Sequence, residues 1–399
     1  MSQVTAATPR PETFTALIVV IFSLLVLPAH AEGDKAQGFL WNVETQLGYD
    51  DNVYRTKDQE DSDGFVVLKP ALSWLGLYGS HEFDLSYQGD YAHYFNEDDL
   101  DYTDHDIRAH ALLDHSARLR TDYTAGHQRG SDDSGSTDAI SRPGEKPDKW
   151  RDDHIRLQIE YGSAASSGQL VGRARYSERR YTNNQQDYRD YDSTGGTGIF
   201  YYRVAPRTRL LFQADYDDYD YRKEDVFRAD QGGDEYRLLT GVTWEATAKT
   251  TGVFKIGYRD RSYNDDRFDS QSGLALFLDG TWEPNSYTRV AFGAAVDNQD
   301  SAQQGSNGSV DTSAHIGMVR DITPRTRLKT DLRYVNEDFD EKPKREDTRW
   351  EYGLGIEYSL LHWLDIGAAY RFEDRDSDRD IFDFSSNVFL VTASTRFEP

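Results

Sequence analysis

The feature that most constrains this chain is a strict alternation of apolar and polar residues that recurs along most of its length. It is clearest in segments 41–50, 82–91, 349–358 and 364–373. In the first, Trp41, Val43 and Leu47 alternate with polar residues such as Asn42 and Glu44. A period of two places one set of side chains on each face of a β-strand. No stretch shows a comparable helical period, so the sequence predicts an all-β fold.

Composition supports an ordered protein. The chain has 399 residues and a formal charge of −25, and only 37% of its residues are hydrophobic. However, 13% are aromatic, whereas disordered chains are poor in aromatic residues. The strong acidity argues against nucleic acid as a partner, because phosphate binding requires a basic surface. Cysteine is absent, which excludes disulfides and thiolate chemistry.

The N-terminus predicts export from the cytoplasm. The segment from Phe14 to Leu27 is apolar over 14 residues, apart from Thr15 and Ser23, which is too short to span a bilayer as a helix. A small-residue pattern that ends at Ala31 follows it. We therefore expect a signal peptide at residues 1–31, cleaved near Ala31, and a mature chain of residues 32–399. No later run is long enough to span a membrane as a helix, so a membrane protein of this sequence must be a barrel.

Two unlike kinds of connection separate the predicted strands. Short turns recur near positions 78, 116, 165, 206, 248, 285, 324 and 361, and longer acidic loops lie between them, for example 219–234, 336–347 and 374–383. Outer-membrane barrels have this asymmetry, with short periplasmic turns and long extracellular loops. Eight turns joining strand pairs, with one further strand at each end, predict 18 strands. Sixteen strands is the alternative.

We therefore expect a transmembrane antiparallel up-and-down β-barrel at residues 32–399, in the outer membrane of a Gram-negative bacterium. Phe389 to Phe397 form an alternating last strand that resembles the signal read by the barrel-assembly machinery, although Glu398 and Pro399 extend past it. A secreted β-sandwich or β-helix is the soluble alternative. Aromatic residues that close the apolar faces favour the barrel, as interfacial girdles do: Trp41, Tyr49, Tyr91, Tyr216, Tyr258, Trp282, Trp350 and Tyr370.

A family resemblance follows from the end of the first strand. Residues 48–55 read Gly-Tyr-Asp-Asp-Asn-Val-Tyr-Arg. This segment resembles the signature of a family of outer-membrane β-barrel porins that are often encoded in exopolysaccharide gene clusters, and the Pro-Arg-Thr-Arg turns at 206–209 and 324–327 are similar to that family's later hairpins. The resemblance implies a conduit that exports a polysaccharide across the outer membrane. A general or anion-selective diffusion porin and a surface adhesin or structural barrel are the alternatives.

The polar phase of the strands is rich in bases that we expect to line the pore. These candidates are Arg118, Arg120, Arg156, Arg173, Arg175, Arg209, Arg237, Arg259, Arg327, Lys329, Arg333, Arg349 and Arg371. Carboxylates are interleaved with them. One interpretation is therefore a structural charge network between neighbouring strands, and the other is a cationic path for an anionic solute.

Aromatic residues form a second group of candidates. Tyrosines in and around the central loops can stack on sugar rings or simply pack the loops: Tyr181, Tyr188, Tyr191, Tyr219 and Tyr221. The Asp-x-Asp repeat at 374–380 lacks the Gly and Glu of a calcium loop and reads as a solvated surface. No nucleophile, dinucleotide or metal-protease motif is present, so we expect no cofactor, no metal and no enzyme activity, although a Ser/His pair built across strands would escape motif analysis.

The expected partners follow from this assignment. They are outer-membrane lipid and lipopolysaccharide, the barrel-assembly machinery and the polysaccharide cargo. The segment before the first strand, at Phe39, is short, and no periplasmic module is evident, so we also expect a separate periplasmic export component.

Overall fold

The computed structural model describes residues 37–140, 142–222, 230–247, 249–302, 306, 308–339 and 344–397. The predicted signal peptide lies outside this range, so its cleavage stays a prediction. No helix among the described residues is long and apolar enough to cross a bilayer. The strands are β1 (Gly38–Asp50), β2 (Asp63–Tyr78), β3 (His81–Tyr94), β4 (Tyr102–Ser116), β5 (Leu119–Asp132), β6 (Asp148–Tyr161), β7 (Gly168–Tyr181), β8 (Tyr191–Ala205), β9 (Thr208–Tyr221), β10 (Gly233–Thr247), β11 (Thr250–Arg261), β12 (Gln271–Asn285), β13 (Thr288–Gln299), β14 (Ser309–Thr323), β15 (Thr326–Phe339), β16 (Arg345–Leu361), β17 (Leu364–Ser377) and β18 (Phe384–Phe397).

Each strand pairs antiparallel with its neighbours in the chain, and the first strand pairs with the last. The β1–β18 register runs from Trp41 opposite Phe397 to Asp50 opposite Val388. The sheet is therefore a closed 18-stranded barrel, which confirms the predicted architecture, and the 16-stranded alternative is wrong. Closure satisfies the backbone hydrogen bonds of both edge strands, as a lipid surrounding requires.

The two ends of the barrel differ as predicted. At one end, the turn end, the connections are two residues long except for residues 162–167, and β1 begins and β18 ends there. At the other, the loop end, longer connections include single-turn 3-10 helices at Asp98–Leu100, Asp187–Arg189 and Asp380–Phe382.

The predicted limits of three loops were wrong, because strand pairing continues through much of them. β15 and β16 remain paired as far as Phe339 opposite Arg345, β9 continues to Tyr221, and β17 continues to Ser377. Asp374 and Asp376 of the Asp-x-Asp repeat accordingly lie on β17 rather than in a loop. The apolar alternation fades where the strands leave the apolar band, but the backbone ladder does not depend on it.

The apolar phase faces outward. Leu238 is 62% exposed whereas Leu239, the next residue of β10, is 5% exposed inside the barrel. Trp41, Tyr49, Trp282 and the other exposed aromatic residues point outward near the two rims, as the girdle prediction requires. A sandwich or β-helix core would bury these residues, so the soluble alternatives do not hold.

Candidate functional site

The lumen carries the charged side chains that the sequence analysis singled out. With one exception, the predicted pore-lining bases lie on strands in the phase opposite to the exposed apolar residues. The exception is Arg118, which lies in the β4–β5 turn and is not a strand residue. Arg156 and Arg333 each have an interaction partner. Arg371, on β17, lies opposite Gly353 of β16 and Val388 of β18.

Many of these bases are paired with carboxylates. Arg237 Nη1 donates to Asp297 at 2.7 Å, and Arg175 Nε donates to Asp217 at 2.6 Å. Other direct pairs are Arg120–Asp114 at 2.6 Å, Arg327–Asp321 at 2.9 Å, Lys329–Glu357 at 2.9 Å and Arg349–Glu337 at 3.7 Å. For these residues the geometry favours the structural charge network over a free cationic path.

Three bases are held differently. Arg173, Arg209 and Lys255 donate to the side-chain oxygens of glutamines, at 2.5, 2.9 and 3.3 Å. We call these three the glutamine-spaced cations. Arg259 donates from Nε to the backbone oxygen of Leu274 at 3.0 Å. The bases of the lumen therefore fall into two chemical classes, those paired with carboxylates and those held by neutral oxygens, and Lys255 of the second class was not among the predicted pore-lining residues.

The wall of the lumen is divided by charge. Among the charged inward positions of β3–β5, acidic residues outnumber basic ones and include Glu82, Asp84, Asp90, Asp104, Asp106 and Asp122. Among the charged inward positions of β7–β11, basic residues outnumber acidic ones and include Arg173, Arg175, Arg209, Arg237, Lys255 and Arg259. A charged solute would therefore meet one wall that attracts it and another that repels it.

The loop between β5 and β6, residues 133–147, crosses the lumen at the loop end, and we call it the crossing loop. Arg375 of β17 donates to the backbone oxygens of Gly135 and Thr137 at 3.0 and 2.9 Å. Arg345 of β16 donates to the backbone oxygen of Asp138 at 3.1 Å. Because β16 and β17 are far from β5 and β6 around the ring, the loop spans the opening.

The crossing loop meets a second loop that connects β13 and β14. The Asp138 carboxylate accepts the backbone N–H of Ala302 at 2.6 Å and the hydroxyl of Ser301. Tyr188, from the β7–β8 loop, donates its hydroxyl to the backbone oxygen of Ala302 at 2.6 Å. Asp300 pairs with Arg261 at 2.9 Å. Polar contacts thus join loops from three sides of the ring.

The other tyrosine candidates are packed at the loop end. The ring centroids of Tyr191 and Tyr221 are 5.3 Å apart, and Tyr191 also lies 6.0 Å from Tyr219. The guanidinium of Arg261 lies 4.4 Å from the Tyr219 ring centroid, and that of Arg189 lies 4.1 Å from Tyr181. Since neighbouring side chains already cover these rings, loop packing describes their present state, and sugar stacking stays a prediction.

The signature segment 48–55 has a structural role in barrel closure that was not predicted from the sequence. Fully buried Asn52 donates to the backbone oxygens of Thr56 and Ser385, at 2.8 and 2.9 Å. Arg55, at a positive φ of 54°, pairs with Asp50 at 2.7 Å and Glu373 at 3.2 Å. The segment therefore ties β1 to β17 and β18 across the seam that closes the barrel.

Exposure of the lumen side chains changes along the barrel axis. Side chains near the turn end are partly exposed, at 46%, 35% and 32% for Arg396, Arg120 and Arg327. Those near the loop end are buried, at 0%, 3% and 5% for Arg345, Arg261 and Arg349. These arginine side chains are accordingly accessible to solvent at the turn end and packed among other residues at the loop end.

The crossing loop carries a pH-sensitive group, Asp133. Burial, followed by the negative charges of Asp104 and Asp90, raises its pKa to about 7. The other charged or titratable groups around it are Asp132, Arg55, Tyr94 and Tyr102. A released loop would return this carboxyl to a pKa of about 4. The inward position therefore loses stability as the pH rises from about 4 to about 7, and changes no further above that.

We accordingly expect the open fraction of the channel to be larger at pH 8 than at pH 5. Single-channel recording at the two pH values measures this difference. Asp133→Asn cannot ionise and should flatten most of the pH dependence. An equal response in wild type and variant would show that Asp133 does not control the loop.

A family model described as "Putative beta-barrel porin 2" matches residues 28–397. The chain belongs to this family. Membership agrees with the resemblance carried by residues 48–55, and it places the porin in the outer membrane of a Gram-negative bacterium. The turn end is then periplasmic and the loop end extracellular. A search of curated proteins finds no match.

Solved structures share the porin's fold at low sequence identity. OccK2 (OpdF) from Pseudomonas aeruginosa has a TM-score of 0.52 at 10% identity, with 91% of this chain and 100% of that chain covered. OpdO from the same organism has a TM-score of 0.49 at 14% identity, with 92% and 100% covered. At such identities the first likeness describes the fold alone.

Proposed function

We propose that the porin is an export conduit that passes a saccharide polymer from the periplasm to the cell surface. The observation that carries this proposal is the polarity of the lumen along its axis. Its periplasmic half presents charged side chains that solvent can reach, whereas loops joined by polar contacts cross its outer half. A conduit filled from the periplasm needs this arrangement, because the cargo meets the accessible charges first and displaces the loops last.

The chemistry of the closure supports this direction. Hydrogen bonds from Arg345, Arg375 and Ala302 hold the crossing loop. Water or polymer hydroxyls can replace such bonds one at a time, so the loop can move without exposing a large apolar surface. The family resemblance supports a polysaccharide as the cargo.

Deletion of the gene tests the proposal. We expect the cell to lose secreted polysaccharide, to retain the polymer or its precursors in the periplasm, and to take up small nutrients normally. Complementation with the wild-type gene should restore secretion.

Two other outcomes would contradict the proposal. A nutrient-uptake defect with unchanged secretion would instead indicate a diffusion porin. If surface attachment alone changed, the barrel would be an adhesin or a structural protein.

A further inference from the structure

The three glutamine-spaced cations share one pattern of hydrogen bonds. Each donates to a glutamine whose amide nitrogen donates onward to a carboxylate. Gln158 and Gln169 both donate to Glu160, at 2.6 and 3.3 Å, and Gln213 donates to Asp215 at 2.7 Å. A neutral amide therefore stands between each cation and its nearest bonded carboxylate.

This spacing leaves hydrogen-bonding capacity unused. An arginine has five N–H donors and a lysine has three. Within the described ranges, Arg173, Arg209 and Lys255 each donate one side-chain hydrogen bond and form no direct ion pair. In contrast, Arg175 donates hydrogen bonds from two of its nitrogens to the carboxylate of Asp217. The three cations are thus oriented by glutamine without being neutralised by it.

The three cations belong to one patch of the basic wall. The Arg209 guanidinium lies 4.6 Å from the ring centroid of Tyr201, and the glutamines that hold Arg209 and Arg173 both donate to Glu160. Thr197, which lies opposite Arg173 in the β7–β8 ladder, donates to Asp215, and Asp215 also accepts from the glutamine that holds Lys255. Lys255 is buried, and the other two are partly exposed to the lumen. The acidic positions of β3–β5 belong to another sector of the wall.

We infer that the glutamine-spaced cations form a binding site for an oxyanion on the saccharide cargo, such as the carboxylate of a uronic acid unit. This inference rests on the proposed function and names the cargo's chemical class. Guanidinium and ammonium donors bind carboxylates through charge-assisted hydrogen bonds, and the Tyr201 ring lies beside them. Only a few N–H groups of these cations are available to the cargo, so its binding affinity remains low. Conduction requires such weak binding, because the cargo must also leave the site.

Single-channel recording with defined probes tests this site. Trigalacturonate added on the periplasmic side should cause resolved current blocks, whereas neutral maltotriose at the same concentration should not. The triple variant Arg173→Gln, Arg209→Gln, Lys255→Gln should shorten the trigalacturonate blocks about tenfold, which corresponds to about 1.4 kcal/mol. Unchanged blocks in the variant would overturn the inference. Equal blocking by inorganic phosphate would overturn the assignment to a saccharide and leave only a site for small anions.

A second variant retains every cation. Replacement of the three spacers by Gln158→Glu, Gln169→Glu and Gln213→Glu puts a carboxylate against each base. We expect it to shorten the blocks about as much as removal of the bases does, a result that a purely steric role of the arginines does not predict. Blocks of wild-type length in this variant would contradict the role of the spacers.

The matched control is Arg289→Gln, since Arg289 is already paired with Glu283 at 2.6 Å and is not one of the predicted pore-lining bases. It should leave the blocks unchanged.

Failure of the site and failure of the export function remain distinguishable. If secretion depends on the gene but the blocks do not depend on these cations, only the site is wrong. If the blocks depend on them but secretion does not depend on the gene, only the export function is wrong.

Discussion

Excision of the crossing loop is expected to raise the single-channel conductance several-fold. The loop runs from β5 and β6 to contacts with β16 and β17, so it occupies the outer opening of the lumen. Asp132 and Asp148 pair directly at its base, so an Asn-Gly turn in place of residues 133–147 can close the hairpin without strain. Planar-bilayer recording of the heat-modifiable, folded variant gives the measurement. Conductance equal to that of wild type would show that the loop does not obstruct the pore.

A single substitution in the crossing loop should increase the conductance for part of the time, because it releases the loop in only a fraction of the molecules. Asp138→Ala removes the acceptor for Ser301 and for the Ala302 N–H. Loss of these two bonds from a buried carboxylate costs about 2 kcal/mol of the loop's inward position. The released fraction then increases roughly 30-fold, which recording resolves as more frequent or longer openings.

The control for this substitution lies in the same loop. Lys146 pairs with Asp99 at 3.3 Å, and both side chains are exposed. Exposed pairs contribute little to stability, so Lys146→Ala should leave the openings unchanged. Equal effects of the two substitutions would mean that the loop responds to any loss of charge and not to its anchor at Asp138.

The strand phase and the strand number were predictable from the sequence for a physical reason. Lipid accepts only apolar side chains. The positions of apolar residues such as Leu238, Phe389 and Val391 therefore identify the outward face of each strand. The two-residue turns are equally local, because Pro and Thr at 206–208 and 324–326 favour them by their own backbone preferences. These signals depend on near neighbours in the chain.

The interior of the lumen was not predictable in the same way, because its contacts join distant segments. No local pattern distinguishes Arg173, which bonds Gln158, from Arg175 two residues later, which bonds Asp217 on another strand. The inward course of the crossing loop depends on Arg345 and Arg375, some 200 residues further along the chain. Its acidic and Ser-rich composition resembles that of any exposed loop.

The signature segment shows a third case. Its unusual composition identified the family, but the role of Asn52 depends on Ser385 in the last strand, which the motif does not include. Asx residues that satisfy several backbone groups are a general signal of a fixed loop. The motif alone therefore does not show that this loop closes the seam.

Arg345→Met is expected to be among the most destabilising single substitutions at the extracellular end. Arg345 and Asp347 are both fully buried, and Arg345 Nε donates to the Asp347 carboxylate at 2.9 Å. Phe382 and Phe339 flank the guanidinium, with ring centroids 3.5 and 4.3 Å away. Removal of the base leaves a buried carboxylate without its counter-charge, which costs about 3 to 5 kcal/mol. Denaturant unfolding in detergent, followed by gel mobility, measures the loss.

Two comparisons separate the lost ion pair from lost packing. Arg267→Met removes the base of a pair with the same two-residue spacing, Arg267–Asp265, whose arginine is half exposed, and should cost less than about 1 kcal/mol. The double variant Arg345→Met, Asp347→Leu removes both buried charges and should recover much of the stability, because Met and Leu can pack against Phe339 and Phe382. If the double variant is no more stable than the single one, the cost comes from the lost contacts of the guanidinium with the rings and with the crossing loop. The unpaired carboxylate would then contribute little to it.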